Sequence, residues 1–125
     1  MDDPTFPLHH LAHGRTGDKG NISNISVIAW HPDLWDVLVQ QVTVEAVAQR
    51  FRTRPPGRVR RFLLPRLHIM NFVLDDALDG GVNSSLNLDS HGKSLSYILL
   101  DLPIRVPSNL VHRLVGVSPR QETEI

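Results

Sequence analysis

The sequence lacks three features that would point directly to a function: cysteine, an excess of charge and a long apolar run. Its 125 residues contain no cysteine, which excludes a disulfide framework and thiolate chemistry. Thirteen basic side chains balance thirteen acidic ones, whereas a general nucleic-acid binder usually needs a basic excess to neutralise phosphates. No apolar stretch approaches the roughly 20 residues that cross a bilayer. We therefore expect a protein that binds neither nucleic acid nor a membrane.

The length and the N-terminus indicate one cytoplasmic domain. A chain of 125 residues falls within the range of roughly 100–200 residues that is usual for one domain. Its first ten residues, "MDDPTFPLHH", are acidic where a signal peptide would be basic. Hydrophobic residues make up 41% of the chain, which is enough to build one core.

The charges are unevenly distributed. Seven of the 13 basic residues fall between Arg50 and Arg66, no acid lies between Glu45 and Asp75, and three aspartates then crowd into residues 75–79. The simplest interpretation is two solvated patches of opposite sign. The alternative is that the patches pair across a symmetric interface between identical subunits, which favours a homo-oligomer.

The first half of the chain predicts two strands and a helix. Residues 6–13, "FPLHHLAH", are interpreted as a short strand, and the β-branched run "ISNISVIAW" at 22–30 as a second strand. Apolar residues then recur with helical spacing. This predicts a helix from about 33 to 52, with Thr43 as the point at which it can break and be capped again.

The second half predicts three more strands and a second helix. "RPPG" at 54–57 is a loop, because proline and glycine end a helix, and "VRRFLL" at 59–64 is a strand. Residues 70–78 have helical spacing before a Gly-Gly stop. "SSLNLD" and "SLSYILLDLPIRV" are interpreted as strands joined by a turn at 89–92.

This order of elements predicts an α+β fold. It is a two-layer sandwich in which both helices cover one face of a four- or five-stranded, mainly antiparallel sheet. The opposite face of the sheet would be open or buried in an oligomer. We expect the domain to occupy residues 1–107, followed by a polar C-terminal tail at 108–125 that is partly frayed.

The segment "GRTGDKGN" at 14–21 is the strongest candidate for a binding loop. Its three glycines allow sharp turns and close approach, and successive backbone N–H groups in such turns form nests for anions, with Arg15 and Lys19 adding charge. The alternative is a structural turn, with Asp18 capping local amides.

Two known glycine motifs do not account for this segment. The phosphate-binding loop G-x-x-x-x-G-K-[ST] does not match, because Lys19 precedes the last glycine. "GRTG" and "GDKG" each match the GXXG of nucleic-acid-binding KH domains, but that loop joins two helices.

The remaining polar groups do not form a recognisable catalytic or metal centre. On a strand, His9 and His13 share a face while His10 points away, so the three cannot converge easily on a metal. Asn71, Asp89 and Lys93 lie at predicted element ends, where they can simply cap the backbone or shape a turn. We expect no cofactor and no metal, and no Ser-His-Asp set can be argued from spacing.

Three stretches together resemble a known family, the AtuA-like ferredoxin-fold domain. They are "LAHGRTGDKGNISNISVIA", "LPRLHIMNFVLDDALDGGVNSSLNLDSHGKSLS" and the final apolar strand, covering roughly residues 7 to 107. The family core reads Ala-Arg-Ser-Gly-Asp-Lys-Gly, where this chain has "GRTGDKG". The resemblance implies a ferredoxin-like sandwich and no established catalytic residues. Arg15, Asp18, Lys19, Asn21, Asn71, Asp89 and Lys93 match the motif positions of the family, without assigned roles. With the rest of the glycine segment, Thr16, Gly17 and Gly20, they are the candidate ligand-binding residues.

The resemblance also implies two alternative functions. AtuA is named for acyclic terpene utilisation through CoA thioesters, and in its long members this domain follows a larger one. The chain is therefore expected to be a ligand-binding or partner module for an AtuA-type large subunit. The alternative is a small enzyme that acts on a CoA-linked or carboxylate substrate, an anionic small molecule held by the loop between Gly14 and Asn21.

Overall fold

Six strands and three α-helices make up the computed structural model, which describes residues 3–19, 22–51, 58–75 and 91–117, with residues 18, 19 and 91–95 described by their backbone alone. The strands are β1 (Thr5–Pro7), β2 (Ala12–Lys19), β3 (Ile22–Ala29), β4 (Arg58–Leu64), β5 (Ile69–Asp75) and β6 (Pro103–Arg105). The helices are α1 (Trp35–Gln41), α2 (Val44–Arg50) and α3 (His91–Leu100). The α+β class is therefore confirmed.

The main sheet has four strands in the order β2-β3-β5-β4, and every neighbouring pair is antiparallel. A separate antiparallel ribbon joins β1 to β6. In a ferredoxin-like strand-helix-strand-strand-helix-strand unit, the last strand lies beside the first one. Here β2, which precedes the first strand of that unit, occupies this position beside β3.

The helices cover one face of the main sheet. Alternate residues of β5 are buried, namely Met70, Phe72 and Leu74, and they lie opposite Val27, Ile25 and Ser23 of β3. Because side chains alternate across a strand, all six belong to the same face. Helix α3 packs over β2 and β3, α2 packs over β4, and the two helices contact each other. The predicted two-layer arrangement is thus confirmed, and the other face of the sheet is called the open face below.

The predicted break in the first helix is confirmed. A 3₁₀ turn at Pro32–Leu34 leads into α1, and α2 begins after Thr43, whose Oγ1 accepts a hydrogen bond from the N–H of Ala46 at 3.0 Å. Arg61 of β4 closes the other side of the break. Its Nη1 donates to the carbonyls of Val39 and Val42, both at 2.9 Å. These are carbonyls that the end of a helix leaves without a partner within the helix.

The second predicted helix is wrong over its described part. Residues 69–75 form strand β5 between two other strands, and the rest of the predicted helix lies outside the described residues. Met70, Val73 and Leu74 fit helical spacing, but Met70, Phe72 and Leu74 fit strand spacing equally well. In so short a segment, the hydrogen bonds that β3 and β4 offer on both sides decide in favour of the strand.

The prediction of a strand at "SLSYILL" is also wrong. The stretch lies in α3, where Ser96 and Leu99 are buried while Tyr97 and Ile98 are exposed. That spacing of three residues belongs to a helix. The run is apolar because α3 packs on the sheet and ends in Ile98, Leu99 and Leu100. Only its continuation, Pro103–Arg105, is a strand. The predicted partner strand "SSLNLD" and the "RPPG" loop lie outside the described residues.

The two ends of the described chain are tied to the body of the domain. The predicted strand at 6–13 is interrupted by a 3₁₀ turn, Leu8–His10. After β6, a further 3₁₀ turn spans Ser108–Arg113. His10 Nδ1 lies 2.7 Å from the carbonyl oxygen of Val115, whose N–H donates back to the His10 carbonyl at 2.9 Å. None of the helices within the described ranges is both long and apolar enough to span a membrane.

Candidate functional site

The glycine-rich segment is a strand over most of its length and not a loop. Residues 14–19 belong to β2 and pair in unbroken register with β3, from Gly14 opposite Val27 to Lys19 opposite Ile22. Residues 20 and 21, between these strands, lie outside the described residues. Successive N–H groups of an extended strand point to opposite sides, so they cannot converge on one anion as they do in a nest. The predicted nest is therefore wrong for residues 14–19.

The strand divides the motif between the two faces of the sheet. Three positions belong to the open face, opposite Ser26, Asn24 and Ile22 of β3: Arg15, Gly17 and Lys19. The other three positions belong to the helix side of the sheet, opposite Val27, Ile25 and Ser23: Gly14, Thr16 and Asp18. Any site built from this motif must therefore be assigned to one face or the other.

On the open face, the structure brings two sequence-predicted residues into one line. Arg15 lies opposite Ser26, Ser26 opposite Asn71, and Asn71 opposite Phe62. The four residues form a row across all four strands, called the central row below. Asn71 Nδ2 donates to Ser26 Oγ at 2.9 Å, and Arg15 is exposed. The predicted position of Asn71 at the start of a helix is wrong, since it lies in the middle of the sheet.

Basic side chains dominate the charge of this face. Arg60 Nη2 lies 2.8 Å from Asp75 Oδ1, in a salt bridge that joins β4 to β5. Arg60 Nε is buried and has no acceptor within the described parts of the chain. Arg15 and Arg58 make no ion pair with any described residue. The described side chains of this face thus include three arginines, Arg15, Arg58 and Arg60, and one acid, Asp75.

Apolar side chains flank the central row. Ile28, Ile69 and Leu64 form the next row toward one end of the sheet, in register with one another. His13, opposite Ile28, stacks on the Trp30 ring with centroids 4.4 Å apart. Phe62 and Leu64 are exposed. The open face thus combines a hydrogen-bonded polar centre with exposed apolar groups and positive charge.

The helix side of the motif is closely packed. A Cβ added at Gly14 would lie 3.6 Å from Leu100 Cδ1, so the end of α3 lies on the start of β2. The Leu8 N–H donates to the Leu102 carbonyl. The residues that follow α3 therefore lie beside the residues that precede β2. Helix α3 therefore runs back along β2 and begins near residues 16–19. The backbone of Lys93 thus lies at the same end of the sheet as Thr16, whose Oγ1 is buried without a described hydrogen-bond partner.

Asp89, Gly20 and Asn21 lie outside the described residues, and the other remaining candidates are not brought to the central row. In the described part of the chain, no group of three or more histidine, cysteine, aspartate or glutamate residues is arranged to hold a metal ion. Sequence reasoning missed Ser26, Asn24, Arg60 and Phe62. The signal for the first two was the alternation of polar and apolar residues in "ISNISVIA", which marks a strand with one buried face.

The fold and this sheet define a class of protein: a ferredoxin-like α+β domain with its helices on one face and a mixed polar and apolar surface on the other. The model of one family, the AtuA ferredoxin-like domain, matches residues 6–105 of the chain. The chain therefore belongs to the AtuA ferredoxin-like domain family, as its motif predicted. Comparisons with curated proteins and with solved structures gave no significant match.

Proposed function

We propose that the chain is a binding module without catalytic activity, whose open face docks onto a larger AtuA-type subunit. The observation that carries the proposal is the central row Arg15–Ser26–Asn71–Phe62. It combines an exposed cation, a hydrogen-bonded polar pair and an exposed aromatic ring on one continuous surface. Arginine and aromatic side chains are enriched in protein interfaces and often dominate their binding energy.

The shape of this surface favours a protein over a small molecule. Strands lie about 4.8 Å apart, so four of them form a surface about 14 Å wide. A sheet face of this kind is broad and shallow, whereas small-molecule sites are concave and enclose most of the ligand. The extended backbone of residues 14–19 also lacks the converging amides that would hold a free anion. These features support a partner surface over a small enzyme's substrate loop.

The charge of the open face indicates the chemistry of the partner's surface. Arg15 and Arg58 are exposed and carry no counter-ion among the described residues. A carboxylate on the partner would pair with either guanidinium and offset the positive charge of this face. The docking surface on the large subunit is therefore acidic with apolar groups between the acids.

The biological setting follows from family membership as part of the same proposal. The module would act with its large subunit in the cytoplasm, in the breakdown of acyclic terpenes or related compounds carried as CoA thioesters. An anionic small molecule, if one is involved, would be bound mainly by the large subunit. The module would stabilise the active conformation of that subunit.

Co-purification tests the proposal. The chain, tagged and expressed in its native host, should retain an AtuA-type large protein that mass spectrometry identifies together with any retained small molecule. Arg15→Glu should abolish retention, because it reverses the charge at one end of the central row. Arg105→Glu is the matched control: Arg105 is exposed on β6, whose backbone is tied to Gln41 on the helix side.

Two results would contradict the proposal. One is turnover of a CoA thioester by the isolated chain, which would favour the enzyme alternative. The other is equal retention of the large protein by the wild type and by Arg15→Glu, with both variants folded by circular dichroism. That outcome would place the contact elsewhere on the domain.

A further inference from the structure

Strand β4 is an edge strand of the main sheet. Its seven residues pair with β5 in unbroken register, from Arg58 opposite Asp75 to Leu64 opposite Ile69. No described strand pairs with its other side. An edge of this kind presents a row of N–H and C=O groups that a further strand can bind.

The same edge exposes large apolar side chains on both faces of the sheet. Phe62 and Leu64, on the open face, are 50% and 44% exposed, and Leu63, on the helix side, is 39% exposed. A protein that packs only on the open face would cover Phe62 and Leu64 but not Leu63. A strand added beside β4 would cover all three, because its own side chains extend on both faces.

Few of the usual protections against strand addition are present at this edge. Proteins shield edge strands with proline, bulges or charges placed on the strand. Here the register contains no bulge, and Pro65 comes only after the strand ends. The arginines lie in the first half of β4, and Arg61 is held toward α1 by its bonds to Val39 and Val42. Among the described residues, none shields the second half, Phe62–Leu64.

We propose that a second copy of this chain pairs with β4, antiparallel, about a two-fold axis at Phe62. Two identical edge strands can pair in this way, because each offers the other the same row of N–H and C=O groups. The pairing sets Phe62 opposite Phe62 of the second copy, Arg60 opposite Leu64, and Arg61 opposite Leu63. An axis at Arg61 would instead bring two Arg61 side chains face to face. Charge therefore selects the axis at Phe62, where arginine stems cover leucines.

This dimer shares Phe62 with the proposed docking surface and leaves the rest of that surface uncovered. The axis is perpendicular to the sheet, so the two four-stranded sheets join into one of eight strands. Both open faces then lie on the same side, and both central rows stay accessible at Arg15 and Asn71. The two subunits would present two copies of the same docking surface to their partners.

Light scattering on the purified wild-type chain gives the first test. The mass at micromolar concentration should be that of two chains. Leu63→Arg should raise the dimer dissociation constant at least about tenfold, because it places a charge beside Arg61 of the second copy. Ile98→Arg, on the exposed side of α3, is the matched control and should leave the mass unchanged. Since Leu63 lies on the helix side, this variant should still bind the large subunit.

Cysteine cross-linking tests the register, because the chain has no cysteine of its own. Under mild oxidation, Phe62→Cys should form a covalent dimer, since residues directly opposite in an antiparallel pair have Cα atoms about 4.5–5.5 Å apart, within disulfide range. Arg58→Cys should not, because its two copies would lie eight residues apart along the strands. A monomeric wild type, a dimer unaffected by Leu63→Arg, or no cross-link at Phe62→Cys would each overturn the proposal.

Discussion

Asn71 on β5 and Ser26 on β3 are joined side chain to side chain across the middle of the open face, at 2.9 Å. The bond fixes the orientation of the Asn71 amide on the open face. It also links the two central strands of the main sheet on the face that no described helix covers. The pair therefore contributes to the stability of the sheet and to the shape of its surface.

A double-mutant cycle measures this link. Asn71→Ala and Ser26→Ala should each destabilise the domain, and the double variant should cost less than the sum of the two. The expected coupling is about 0.5–1.5 kcal/mol, the usual net value of one hydrogen bond. Urea unfolding of the four proteins gives the numbers. Strictly additive effects would show that the bond does not contribute to stability.

Arg61→Met should destabilise the domain by about 1.5–3 kcal/mol, as expected for hydrogen bonds from a charged group. Methionine keeps most of the apolar stem but cannot donate to the carbonyls of Val39 and Val42. Arg66→Met is the control, because Arg66 is exposed on the turn after β4. Thermal and urea unfolding should show a loss for the first variant alone. Equal effects of the two changes would rule out the proposed closure of the helix break.

Thr43→Ala should cost about 1 kcal/mol, because it removes the side chain that caps the first turn of α2. Thr43→Ser keeps the hydroxyl that accepts from the Ala46 N–H and should retain most of the stability. The comparison separates the hydrogen bond from the loss of the threonine methyl group. If serine were as damaging as alanine, packing rather than capping would explain the loss.

Gly17→Ala should leave the stability unchanged or raise it by up to about 1 kcal/mol, since alanine restricts the unfolded chain and fits an extended strand. An added Cβ would lie 3.5 Å from the Asn24 side chain, an ordinary contact. The same holds for Gly14→Ala, whose Cβ would meet Leu100 at 3.6 Å. A sharp turn at these glycines would give the opposite result, a clear loss of stability in thermal melts.

The parts of the fold that could be predicted from sequence are those with one strong local pattern. Strand β3 is β-branched and alternating, β4 follows a proline-rich segment, and Thr43 marks the helix break by its own chemistry. The short apolar runs of β5 and α3 fit both periods, so local pattern predicts a helix for β5 and a strand for α3, and both predictions are wrong. The outcome there depends on neighbours that are distant in sequence: β3 and β4 flank β5, and the sheet face lies beneath α3.

Two residues of the candidate site, Arg15 and Asn71, were predictable from sequence, but its geometry was not. The glycines of residues 14–20 indicated a loop, yet most of them lie in an extended strand that needs no special backbone angles. Once the segment is a strand, alternation sends Arg15 and Thr16 to opposite faces. The row from Arg15 to Phe62 depends on the order of four strands, which no local pattern encodes.

The pairing of β1 with β6 has a consequence for how this domain relates to others of its class. The ribbon brings the segment before β2 beside the segment after α3. A chain that passed directly from β6 into β1, and was opened between Lys19 and Ile22, would start at β3 and end at β2. Apart from the added ribbon, it would then follow the ordinary ferredoxin-like order, strand-helix-strand-strand-helix-strand. The domain is thus a circular permutation of that order, and the segment "GRTGDK" occupies the place of its final strand.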